Sequence, residues 1–129
     1  MSWVYVDTSC LVAVALREAN AARLGRLLRK AERLFSANLL EAEFRATMAR
    51  EKVDAGVEDY LSWFSWVIPD RSLRPEMRMV LDEGYVRGAD LWHLACALLL
   101  PAEPGELHFL TCDRRQGDVA RGLGFAIPR

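Results

Sequence analysis

Four acidic residues, Asp7, Glu43, Asp90 and Asp113, stand out because of what surrounds them. Asp7 comes directly after the β-branched and aromatic stretch Trp3-Val4-Tyr5-Val6, and Asp113 directly after the apolar stretch Leu107 to Cys112. In an open α/β sheet, ligands bind beyond the carboxyl ends of the strands. Both carboxylates are therefore expected at one edge, and they converge if the two strands are neighbours. Taken singly, each is equally a cap for the helix that follows, and the same holds for Asp90, which opens Leu91-Trp92-His93-Leu94-Ala95. Glu43 differs. Its helical neighbours at three and four positions are Leu39, Leu40, Ala46 and Thr47, so it has no ion-pair partner on its own helix. Glu41 has Arg45 four residues on, in the favourable acid-first order. Glu43 reads as an inward acid and Glu41 as a solvated one.

Gathered carboxylates repel: a pair ~4 Å apart costs on the order of 4 kcal/mol at an effective dielectric of about 20. A hard divalent cation removes that penalty, and an all-oxygen donor set suits Mg²⁺ or Mn²⁺. Ions held this way serve phosphoryl chemistry, in which they activate a water and neutralise the leaving oxygen.

The elements that must position these acids alternate between strand and helix. Trp3 to Val6 reads as a strand and Cys10 to Arg17 as a helix. A second helix covers Ala21 to Ala31, with Leu24, Leu27, Leu28 and Ala31 on one face. Leu34-Phe35-Ser36 is a strand, and Asn38 caps a helix running to about Val53. Val57 to Trp66 is expected to be helical, passing into a short strand at Trp66-Val67-Ile68 that Pro69 closes. Pro75 begins a helix through about Val86, and Asp90 to Leu100 forms another, stopped by Pro101. After the loop Glu103-Pro104-Gly105, Leu107 to Cys112 is a strand, Asp113 to Leu123 a helix and Phe125-Ala126-Ile127 a last strand. Short apolar strands alternating with helices predict a single α/β domain over residues 1–129, with a mostly parallel sheet between helical layers.

Composition narrows the function classes. With 129 residues, 52% of them apolar, the chain can bury a core, which excludes disorder. A net charge of -1, from 17 basic against 18 acidic residues, excludes a polycation that coats nucleic acid indiscriminately. It leaves room for an enzyme whose metal ions carry the positive charge. Apart from Lys30 and Lys52 the basic residues are all arginine, the better fork for phosphate. Cys10, Cys96 and Cys112 show no metal-ligand spacing, and each lies in an apolar stretch. They read as small buried hydrophobes in a reducing compartment rather than as a disulfide framework. No apolar run approaches ~20 residues, and the first residues lack a basic leader, so a cytoplasmic protein without a membrane segment is expected.

Four segments then resemble the motifs of one family in the right order. VYVDTSCLVAVAL resembles its first motif, LLEAEFRA its second, GADLWHLACAL its third and LTCDRRQGDVARGLGF its fourth. The family is that of the PIN-domain ribonucleases, in particular the VapC-type toxins of prokaryotic toxin–antitoxin pairs. The resemblance implies a three-layer α/β/α fold with a five-stranded sheet in the order 3-2-1-4-5. It also implies that Asp7, Glu43, Asp90 and Asp113 are both the metal-binding and the catalytic acids. The implied activity is Mg²⁺-dependent endonucleolytic cleavage of RNA by an activated water, with Mn²⁺ an acceptable ion. Ser9 and Thr111 would support the site through their hydroxyls, and each is equally a cap or a strand residue. Arg114 and Arg115, beside Asp113, are the candidates for holding RNA, against the plainer reading of a solvated helix start. The implied partners are a cognate antitoxin, whose terminal segment lies in a helix-lined groove, and a second copy of the chain in a homodimer.

Other residues near these motifs have plainer readings. His93 is expected to pack its helix rather than act as a base, and Asp118 to pair with Arg121 or Arg114 at the surface. Tyr60, Trp63, Phe64 and Val67 recur at helical spacing and read as core, a dimer seam or a partner groove. The alternative function is a PIN-like module that binds RNA or protein without cutting. A haloacid-dehalogenase-type phosphatase is disfavoured because Ser9 stands where a second Asp is needed. A receiver domain is disfavoured because it needs clustered early acids and a Lys after a late strand.

Overall fold

The computed structural model describes residues 2–128, with Pro104 described by its backbone alone. Its strands are β1 (Trp3–Val6), β2 (Arg33–Ala37), β3 (Phe64–Val67) and β4 (Leu107–Leu110). Its helices are α1 (Thr8–Ala15), α2 (Ala21–Lys30), α3 (Leu39–Arg50), α4 (Val57–Leu61), α5 (Arg74–Glu83), α6 (Gly88–Ala97) and α7 (Arg114–Gly122). All strand pairs are parallel, in the order β3-β2-β1-β4. The centre of the sheet is β1, with Val4 opposite Leu34 on one side and His108 on the other.

Side chains alternate across β1 as a strand requires. Val4 and Val6 enter one core with Leu11, Leu24, Leu28, Leu40 and Phe44, contributed by α1, α2 and α3. Tyr5 enters the other core with Val80, Leu94, Phe109 and Val119, so α5, α6 and α7 cover the opposite face. This is the three-layer α/β/α arrangement expected, with both faces of a parallel sheet buried.

Three expectations are corrected. The fifth strand shrinks to a single parallel bridge between Ala126 and His108, so the sheet has four strands plus this contact at the predicted edge. The helix expected to reach Trp66 ends at Leu61, and Phe64–Val67 pairs in register with Leu34–Ala37. A short apolar run satisfies both periods, and here sheet pairing and β-favouring Phe, Trp and Val decide. Cys112 is exposed rather than buried, because β4 ends at Leu110 and leaves it in the turn before α7. Smaller shifts occur at helix ends. Asn38 occupies the cap position of α3 without a side-chain cap, α5 stops at Glu83, and α6 begins at Gly88. No helix is long and apolar enough to cross a membrane among the described residues.

Candidate active site

Because β1 and β4 are parallel neighbours, their carboxyl ends lie side by side. The Asp7 N–H donates to the Leu110 carbonyl at 3.0 Å, extending the ladder one step beyond the strands. Asp7 is 4% exposed, too buried for an unpaired carboxylate. Its Oδ2 accepts from Ser9 Oγ at 2.8 Å and from Thr111 Oγ1 at 2.7 Å, so both predicted supporting hydroxyls reach it. Ser9 Oγ in turn accepts the Cys112 N–H. Asp7 holds the N-cap position of α1 but makes no side-chain cap bond, which removes the capping explanation for it.

Asp113 takes the other branch: its Oδ1 accepts from the Gln116 N–H at 3.0 Å and caps α7. Its carboxylate is exposed and leaves Oδ2 for other partners. Thr111 joins the two acids, since its Oγ1 also accepts the Asp113 N–H at 3.0 Å. The single Thr111 proton faces two acceptors, Asp7 Oδ2 and Gln116 Oε1, and the charged one is the stronger.

Glu43 approaches from α3, in the layer on the other side of the edge. Thr8 Oγ1 donates to its Oε1 at 2.7 Å, and His93 Nε2 lies 3.0 Å from the same oxygen. The His93 bond, helped by Thr8 and opposed by burial, holds the Glu43 carboxyl below its ordinary range. Glu41 instead pairs with Arg45, which also grips Glu58, so the inward and outward assignments of the two acids are as expected. Asp90 lies in the first turn of α6, half-buried. Its carboxyl is pushed up, first by burial and then by the negative charges of Asp7 and Asp113, with Glu43 adding to the same effect and His93 opposing it. Asp90 thus lies within electrostatic reach of the other three predicted acids.

Arg114 and Arg115 open α7, both exposed, and Arg114 lines the surface beside Asp113. A groove of about 350 Å³ runs there past Thr111, Cys112, Asp113, Arg114 and Arg121. Asp118 is the surface residue expected, paired with Arg121 at 3.2 Å.

Residue-by-residue reading missed three participants. Thr8, the first residue of α1, orients Glu43. Gln116, unremarked, is fully buried, with its amide reaching the Asp90 carbonyl at 3.4 Å. His93, taken as packing, is indeed buried, at 1% exposure, but its ring links Tyr5 to Glu43. The available signal was its spacing, one helical turn beyond Asp90 on the same face.

The profile of the PIN domain matches residues 4–122, spanning every element from β1 to α7. The chain belongs to the PIN-domain family. No curated protein matches it significantly. PIN domains are in general nucleases that use divalent metals, and they bind nucleic acid. The donor set of this PIN domain fits such an ion in kind, being carboxylate oxygens, and the charges of Asp7, Asp113 and Glu43 bear on the Asp90 carboxyl. Among the described residues no three acidic, His or Cys side chains stand close enough together to hold a metal ion as they are arranged here.

Proposed function

We propose that this PIN domain is a Mg²⁺-dependent endoribonuclease acting as the toxin of a type II toxin–antitoxin pair. The observation that carries the nuclease reading is that the Thr111 hydroxyl joins Asp7 and Asp113, which lie far apart in the chain, at the sheet edge where Thr8 and His93 hold Glu43. Asp90, in the first turn of α6, feels all three of those acids. Asp7, Asp90 and Asp113 would hold the ion, with Glu43 alongside. When bound, the ion supplies Lewis-acid activation of water and charge neutralisation at the scissile phosphate.

The chain's own groups do the rest. Ser9 and Thr111 keep Asp7 aimed by donating to Oδ2. Glu43, with Oε1 occupied by Thr8 and His93, keeps its second oxygen to take a proton from the attacking water. The water oxygen bonds to phosphorus as the phosphorus–oxygen bond opposite it breaks. Arg114 and Arg115 hold neighbouring phosphates, compensating locally for the net charge of -1.

An apolar partner is supported by a second groove, of about 560 Å³, lined by Val14, Ala15, Arg29, Val53, Tyr60 and Trp63. Of the aromatic stripe only Tyr60 and Trp63 face it. Phe64 and Val67 are buried on β3, and Trp63 remains 39% exposed. An amphipathic antitoxin helix with an acid near Arg29 fits that surface. A homodimer and a cytoplasmic setting belong to the same reading.

The test is incubation of purified protein with single-stranded and structured RNA, with Mg²⁺ or with EDTA. Metal-dependent fragments are expected, reduced about 10²–10⁴-fold in Asp7→Asn. Fragments that persist unchanged in Asp7→Asn come from a contaminant, and preferential cutting of DNA overturns the choice of RNA. Coexpression with the product of the adjoining reading frame should block cutting, and Trp63→Arg should release the block.

A further inference from the structure

We propose that Tyr5 and His93 are positioning residues, a buried relay that holds the Glu43 carboxylate in its working orientation. The inference rests on the reading of Glu43 as an acid of the nuclease site.

Tyr5 is fully buried on β1, stacked on Phe109 with ring centroids 5.2 Å apart and planes 7° from parallel. That position needs only an apolar ring, yet it carries a hydroxyl, and a buried hydroxyl must be bonded. Tyr5 Oη accepts the Ala37 N–H at 3.0 Å, which leaves its own proton for His93 Nδ1 at 2.7 Å. With Nδ1 accepting, the ring proton sits on Nε2.

The other side of the ring requires the same tautomer. Nε2 faces Glu43 Oε1 at 3.0 Å and Thr8 Oγ1 at 3.2 Å. Thr8 spends its proton on that same Glu43 oxygen, at 2.7 Å. A ring protonated only on Nδ1 would aim a lone pair at a carboxylate. Two donors therefore meet on Oε1, one from α1 and one from α6, while Asp7 Oδ1 at 4.0 Å is too far from Nε2 for a hydrogen bond. The series Ala37 N–H, Tyr5, His93, Glu43 runs from the end of β2, through the core under one helical layer, to a side chain of the other. Glu is a long side chain that loses much rotamer freedom when held. Fixing one of its oxygens from a rigid strand removes that search before substrate arrives, which acts on turnover rather than on RNA affinity.

The experiment combines ¹⁵N NMR of the His93 ring with steady-state cleavage. In the wild type, Nε2 is expected to be protonated and Nδ1 not. In Tyr5→Phe the Nδ1 resonance shifts and the Glu43 carboxyl ¹³C resonance moves with it. Cleavage by this variant falls about 10–100-fold in kcat with KM unchanged. His93→Gln, which retains an N–H donor, is expected to keep more activity than His93→Leu. A wild-type ring with Nε2 unprotonated overturns the relay, as does wild-type turnover in both Tyr5→Phe and His93→Leu. If Tyr5→Phe does not fold, the wild-type ring assignment and the Gln–Leu pair still decide. If the wild type cuts no RNA, the nuclease reading falls, whereas the ring assignment and the Glu43 resonance judge the relay independently.

Discussion

Thr111 Oγ1 lies 2.7 Å from Asp7 Oδ2, joining residues 104 positions apart at the carboxyl ends of adjacent parallel strands. The same oxygen accepts the Asp113 N–H, so one hydroxyl sets the distance between the acid that closes β1 and the acid that opens α7. Thr111→Val keeps the shape and removes both bonds. Cleavage is expected to drop about 10–100-fold. Stability should fall by about 1–3 kcal/mol, because the Asp113 N–H loses this acceptor and Asp7 Oδ2 is left with the Ser9 hydroxyl. Denaturant unfolding beside a cleavage assay checks both, and a variant with wild-type turnover would remove Thr111 from the site.

Asp90→Asn should make the protein more stable and less active. Folding raises the Asp90 pKa, so the folded state favours the protonated form. The penalty is therefore full at neutral pH, shrinks as pH falls through the raised value, and vanishes below the ordinary aspartate pKa of about 3.9. Melting at pH 7 is expected to move upward by about 4 °C for each kcal/mol relieved, with no difference near pH 3. Added Mg²⁺ should raise the melting point of the wild type and much less that of the variant. Equal melting points at pH 7 would mean that the acids do not repel as described.

Two roles of Asp113 can be separated by substitution. Asp113→Asn retains an oxygen for the Gln116 N–H and should melt close to the wild type while losing cleavage. Asp113→Ala loses both and should cost a further ~1 kcal/mol of stability. If Asp113→Asn cleaves normally, Asp113 is a cap and nothing more.

The cysteines should react in a definite order. Cys112 is exposed, and its thiol pKa is lowered to about 6, chiefly by a hydrogen bond from Cys10, whose Sγ is 3.5 Å away. Cys96 is buried and pushed up to about 12 by that burial, and Cys10 is pushed up as well. Thiolate is the nucleophile, so iodoacetamide at pH 7 should label Cys112 in the native protein and the other two only after unfolding. Half-maximal labelling rate is expected near pH 6, read by mass spectrometry. Equal labelling of all three native thiols would contradict the arrangement.

The alternating architecture is legible in the amino-acid sequence, as is the choice of the four candidate acids. Strand composition, turn residues and the lack of a helical partner for Glu43 are local properties that one line of residues displays in full. Local pattern did not decide between helix and strand at Phe64–Val67, where pairing with β2 settled the matter. Nor did it separate Asp7 from Asp113. Both follow strands and precede helices, yet Asp113 caps α7 while Asp7 is held by Ser9 and Thr111. Which polar groups share their protons is visible only once the chain is folded. Tyr5 and His93, 88 residues apart, both look like core in sequence, and they are core. Their hydroxyl and imidazole become a link to Glu43 only when two helical layers meet over the end of the sheet, because a hydrogen bond depends on distances of a few tenths of an ångström that spacing along the chain does not encode.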